Sequence, residues 1–157
     1  MEFIKYAGYR IKYHDALTAY DAIITEKERI FAKTQPRGVD TEAERVSGGV
    51  QKNTFDEYLI EMEAKEIEKR LKEAAAIVAD RKRLLDLCEQ DLRASANCQD
   101  KVYRYRYIDH LSVRQIAQRV GYSEANVYHL LNAIRLQLRQ IEKLDVGKMK
   151  NTQLDKI

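Results

Sequence analysis

The sequence has little that would interrupt a helix. It holds one proline and six glycines in 157 residues, so long helices have few points at which to break. It has no tryptophan, although it has ten tyrosines. Its two cysteines, Cys88 and Cys98, show neither CxxC nor Cys/His spacing, which leaves unpaired thiols and a cytoplasmic setting as the expectation. The longest small apolar run, Ala74 to Ala79, is far short of the about 20 residues that span a bilayer. The opening MEFIKYAGYRIKYHDAL mixes acids and bases and does not read as a signal peptide. His14, His110 and His129 are scattered, without metal-ligand spacing. No Ser/His/Asp set or carboxylate pair stands out. The reading is therefore not an enzyme, with no cofactor and no metal.

Charged residues make up 34% and apolar residues 45%, enough for a packed core. Leu, Ala, Glu, Lys, Arg and Gln dominate, which argues for an all-α protein. The net charge of +3 is unevenly spread. Residues 54–100 carry eight bases and twelve acids, giving −4. Residues 101–143 carry eight bases and three acids, giving +5. A basic segment next to an acidic one points to a polyanionic partner at one end only.

Along the chain, residues 3–33 read as a helix with one apolar stripe. Tyr6, Tyr13, Leu17, Tyr20, Ile24 and Phe31 carry it, with Arg10 and Lys27 filling the gaps in the repeat. Residues 34–53 hold the only proline and three of the six glycines, and read as a loop or disordered linker. Residues 54–93 read as one long helix, opened by a Thr54–Glu57 capping box. Ile60, Ala64, Ile67, Leu71, Ala74, Val78, Arg81, Leu85, Cys88 and Leu92 follow a 4-3 repeat, a coiled-coil seam that only Arg81 interrupts. The two helices are expected to form an antiparallel, coiled-coil-like hairpin over 1–93, for dimerisation or partner docking. A DNA-binding domain is expected over 94–145 and a flexible tail over 146–157. Asn97 and Ser95 are candidate caps for a helix over about 98–109, in which Tyr103 and Tyr107 face the core.

The stretch LSVRQIAQRVGYSEANVYHLL carries the strongest signal. Ser112 with Gln115 forms a capping box for a short helix over 113–120. Gly121 suits the left-handed conformation of a tight helix exit, and Ser123 caps the next helix. Ile116, Ala117 and Val120 face inward from the first helix, and Val127, Leu130, Leu131 and Ile134 from the second. The spacings Ala117–Gly121, Gly121–Val127 and Val127–Leu130 are four, six and three, as a helix-turn-helix of the DNA-binding type requires.

RYRYIDHLSVRQIAQRVGYSEANVYHLLNAIRLQLRQI resembles region 4 of sigma factors. The hairpin followed by this domain is similar to small phage-encoded transcriptional regulators of the RinA/ArpU type. That resemblance implies an activator of late phage operons that contacts RNA polymerase in a bacterial host. Sigma recognition helices usually open with several arginines. Here the same positions read Glu124-Ala125-Asn126-Val127-Tyr128-His129.

The outward residues of the second helix are the candidate base contacts. Asn126 can pair bidentately with adenine, Glu124 can accept from cytosine, and Ala125 or Tyr128 can touch a thymine methyl. His129 completes the set. Arg114, Gln115, Gln118, Arg119, Arg135 and Arg139 are the candidate phosphate contacts. The expected function is a sequence-specific transcription regulator on double-stranded DNA, a homodimer through its heptad helices. Two alternatives compete with it: a small terminase-like packaging subunit, and an interaction module whose helix-turn-helix binds no DNA.

Overall fold

The computed structural model describes residues 1–34 and 54–154, with side chains described over 1–32 and 57–143. All regular structure among the described residues is helical. Helix α1 spans Glu2–Thr34, α2 Thr54–Ala94, α3 Cys98–Tyr103, α4 Val113–Val120 and α5 Glu124–Leu154. A π-helical turn, Arg104–Ile108, continues α3. Apart from Thr34, the expected loop over 34–53 lies outside the described residues, as does the Thr54 side chain of the expected capping box. Helix α5 continues to Leu154, so 146–154, expected as a tail, has helical backbone. No proline interrupts that stretch, and Gly147 alone does not stop it.

The chain divides into two compact units at places other than residue 93. One is Asp15–Asp80. The other joins Met1–His14 to Arg81–Ile157.

In the Asp15–Asp80 unit, α1 and α2 run antiparallel. Tyr20, Ile24 and Phe31 share a groove with Leu71, and Phe31 shares another with Ile60 and Ala64. Glu26 meets Arg70 at 3.1 Å, but both are well exposed, so the pair adds little. Among the described residues of this unit Ile67 is the one buried apolar side chain, with Leu71, Ala74 and Val78 half-buried along the expected seam. The seam is uncovered at its start. Ile60 and Ala64 are exposed, and so is Phe31 on the α1 stripe.

The second unit contains the main core. Phe3 and Tyr6 from α1, Leu85 and Leu92 from α2, and Val102 and Tyr103 from α3 pack with Ile116, Ala117, Val127, Leu131 and Ile134. Each fully buried aliphatic or aromatic side chain contributes roughly 1.5–3 kcal/mol. The aromatic part is ordered around Tyr103. Its ring stacks on Phe3 at 5.2 Å and on Tyr107 at 4.9 Å, and Tyr6 meets its edge at 6.1 Å. The expected helix over 98–109 thus puts Tyr103 and Tyr107 inward, but as α3 plus a widened turn. That turn closes with the Asp109 N–H donating to the Arg104 carbonyl at 3.0 Å. Arg10, a gap in the α1 stripe, is there for a reason. Its positive charge lies near the Tyr103 phenol.

The start of α1 is fixed by one buried carboxylate. Asp100 is 1% exposed. Its Oδ1 accepts from the Phe3 N–H at 3.0 Å, and its Oδ2 from the Glu2 N–H at 3.3 Å and the Ser95 hydroxyl at 2.7 Å. Helix α1 therefore has its first-turn donors satisfied by a residue nearly a hundred positions away, at the end of the helix where negative charge is favoured. Ser95 also accepts from the Asn97 N–H, and Asn97 caps α3 by accepting from the Gln99 N–H at 2.9 Å.

Two measurements check this core. Asp100→Ala leaves two helix N–H groups without their partner, and urea unfolding should show a loss of about 3 kcal/mol. Burial pushes the Tyr103 phenol up to about 12, with Arg10 opposing the shift. The folded state then holds this proton more tightly than the unfolded chain, whose tyrosines titrate near about 10. Stability from this group is complete below about pH 10 and falls as the pH rises through about 12, by roughly 2 kcal/mol. Alkaline difference absorbance should show one tyrosine titrating after the others, with unfolding free energy declining over the same window.

Candidate nucleic-acid interface

Helices α4 and α5 are positioned by signals within their own sequence. Ser112 accepts from the Gln115 N–H at 3.3 Å, while the Gln115 side-chain oxygen accepts from the Ser112 N–H at 2.9 Å. Both halves of a capping box are therefore made. Gly121 ends α4 with φ +75°, its N–H donating to the Ala117 carbonyl at 2.9 Å. The Tyr122 N–H donates to the same carbonyl at 3.1 Å. Ser123 opens α5, its hydroxyl oxygen accepting from the Asn126 N–H at 3.3 Å.

The burial pattern separates the two faces. Ile116, Val127 and Ile134 are fully buried, and Ala117 and Leu131 nearly so, with Val120 and Leu130 packed on the edge of the core. Every candidate contact residue lies on the other side. Glu124, Ala125, Asn126, Tyr128 and His129 are exposed, as are Arg114, Gln115, Gln118, Arg119, Arg135 and Arg139. Tyr128, Asn132, Arg135 and Arg139 recur at helical spacing, so they form one stripe along α5. Among the described residues, no side-chain hydrogen bond holds Asn126, Tyr128 or His129. They are free to meet an external partner.

The cationic residues are in different situations. The Gln115 carbonyl is committed to the α4 cap, so only its amide N–H groups remain to reach a phosphate. Arg135 leans on Asn132 at 3.5 Å. Among the described residues, no carboxylate pairs with Arg114, Arg119 or Arg139. Arg119 has its guanidinium 5.6 Å from the centre of the Tyr105 ring. Arg104, on the π turn, lies 4.4 Å from that ring centre, with NH1 donating to the Arg93 carbonyl at 3.1 Å. Arg104 Nε sits 3.6 Å from Asp109, which also faces Arg93. Arg106 is exposed, and its NH1 donates to the Leu111 carbonyl at 3.1 Å. The sequence offers Tyr103, Tyr105 and Tyr107 with Arg104 and Arg106 as an aromatic-basic strip that could stack single strands, beside the core reading of Tyr103 and Tyr107. In the fold Tyr103 is buried and stacks on Tyr107, and the neighbour of Tyr105, Arg119, lies on another helix, which the alternation does not reveal.

The turn itself generates a prediction. A Cβ built on Gly121 meets nothing within 4 Å, so a substitution there costs backbone strain and not a clash. Gly121→Ala should lower stability by about 1 kcal/mol and Gly121→Asn by less, as measured by thermal unfolding.

The molecule so described is an all-helical protein that ends in two helices joined by a tight glycine turn. It belongs to the family described as "Protein of unknown function (DUF1492)", which matches residues 38–139. The match takes in all of α2, α3 and α4 and the part of α5 that carries the exposed stripe. No curated protein and no solved structure matches the chain. None of its described helices is long and apolar enough to cross a membrane.

Proposed function

We propose that this protein is a sequence-specific, DNA-binding transcriptional regulator, related in design to sigma region 4. Its setting would be a bacterial host cell, as a phage or prophage late-gene activator that contacts RNA polymerase and dimerises through its heptad helices. The observation that carries the reading is the exposed face of the α4–α5 pair. All the apolar residues of that pair on the core side are covered. The residues outside are hydrogen-bonding side chains on the first turns of α5, flanked by arginines that have no carboxylate partner among the described residues. That is a division between readers of base edges and binders of phosphate.

The composition of the face also suggests what it reads. The first turns of α5 hold no arginine or lysine, so the commonest contact to guanine is missing there. Asn126 favours adenine, Ala125 and Tyr128 favour a thymine methyl, and Glu124 favours cytosine. The target is therefore A·T-leaning at the positions that α5 faces. One observation favours a second reading, a protein-interaction module. Glu124 puts a negative charge in the first turn of α5, among the candidate base contacts, where it also serves the helix dipole.

Selection from a random duplex pool at low salt separates the two. Enrichment of an A·T-leaning site supports the regulator. Absence of any enrichment sinks it and leaves the interaction module. With a selected site in hand, Asn126→Ala should change the preferred base at one position. Arg114→Ala should weaken all duplexes alike and flatten the salt dependence of log K by about 0.9.

A further inference from the structure

We infer that Tyr105 is a positioning residue for DNA binding, a ring that holds the Arg119 guanidinium in place for a backbone phosphate. The inference rests on the regulator reading above and adds to it a residue and a mechanism.

The geometry is specific. Tyr105 is half-buried on the π turn, so its ring is fixed by the fold. Two guanidinium groups lie near it, Arg104 at 4.4 Å and Arg119 at 5.6 Å from the ring centre. The negative face of an aromatic ring attracts cations at such distances. The two arginines are not equivalent. Arg104 is turned into the protein, its charge facing Asp109 and its NH1 bound to the Arg93 carbonyl. Arg119 is exposed on α4, and among the described residues no carboxylate neutralises it. One cation is thus spent on the fold and the other is presented to solvent. Both are ordered on one ring.

An exposed arginine loses much side-chain freedom when it grips a phosphate, and that loss weakens binding. A guanidinium already resting on a ring has given up part of that freedom in the free protein. Its N–H donors stay available for a phosphate, because attraction to the ring uses none of its hydrogen bonds. The π turn has a use on this reading. It sets the half-buried Tyr105 near Arg119 of α4 while Tyr103 and Tyr107 stack on each other.

The test is a double-mutant cycle on duplex affinity in the full chain. Tyr105→Leu should weaken binding to all sequences about three- to tenfold. Tyr105→Phe, which keeps the ring, should bind as wild type does. In an Arg119→Ala background, Tyr105→Leu should have no further effect, because the residue acts through Arg119. The salt slope should be unchanged by Tyr105→Leu, which removes no cation, and flattened by about 0.9 in Arg119→Ala. An equal loss from Tyr105→Leu in both backgrounds overturns the inference alone, since it marks a folding defect or a direct contact. Failure of the wild-type protein to bind any duplex overturns the proposed function, and the inference with it.

Discussion

Asp100 is almost wholly removed from water, yet its carboxylate accepts three hydrogen bonds, two of them from the opening turn of a helix nearly a hundred residues earlier in the chain. A buried charge is tolerated only where donors replace its lost hydration. Here the donors are the first N–H groups of α1, which no residue within that helix can satisfy. The carboxylate and the helix end therefore complete each other. With this contact in place, Phe3 and Tyr6 are brought to the ring of Tyr103, and Tyr103 sits in the same core as Ile116 and Val127. The α4–α5 pair thus stands on a core to which the start of the chain contributes.

This dependence explains why the compact units divide as they do. Two helices of 33 and 41 residues invite a reading as one hairpin domain, separate from the C-terminal helices. The packing instead joins Met1–His14 to Arg81–Ile157. Arg10 shows the same logic at one position. In the α1 stripe it looks like a fault in the repeat, and in the fold its charge lies near a buried phenol. Arg104 is likewise held by its own unit, by the Arg93 carbonyl and beside Asp109, whereas Arg106, its counterpart in the alternation Tyr-Arg-Tyr-Arg-Tyr, is exposed.

The exposed face of α4 and α5 combines two kinds of side chain. Some are anchored, such as Gln115 in the cap and Arg119 on Tyr105. Others, such as Asn126, Tyr128 and His129, have no partner within the described residues. Anchored groups suit contacts that must hold a register, and free groups suit contacts that discriminate between bases. That combination gives the regulator reading its physical content, and the family match covers this face.

The sequence by itself determined the helical class, the ends of α4 and the start of α5, and which sides of the pair face inward. These are local matters. A capping box spans three residues, a left-handed glycine one, and an apolar repeat reads along a single helix. It also marked Leu85, Cys88 and Leu92 as the covered side of α2. Only the tertiary structure decided that Asp100 caps α1, that Arg10 serves Tyr103, that Phe31 and Ile60 stay exposed on their stripes, and that Arg119 rests on Tyr105. Each of these depends on which helix arrives at a given face. A repeat along one helix sets which residues share a side, but the partner on that side is chosen by packing between distant segments, which no local pattern encodes.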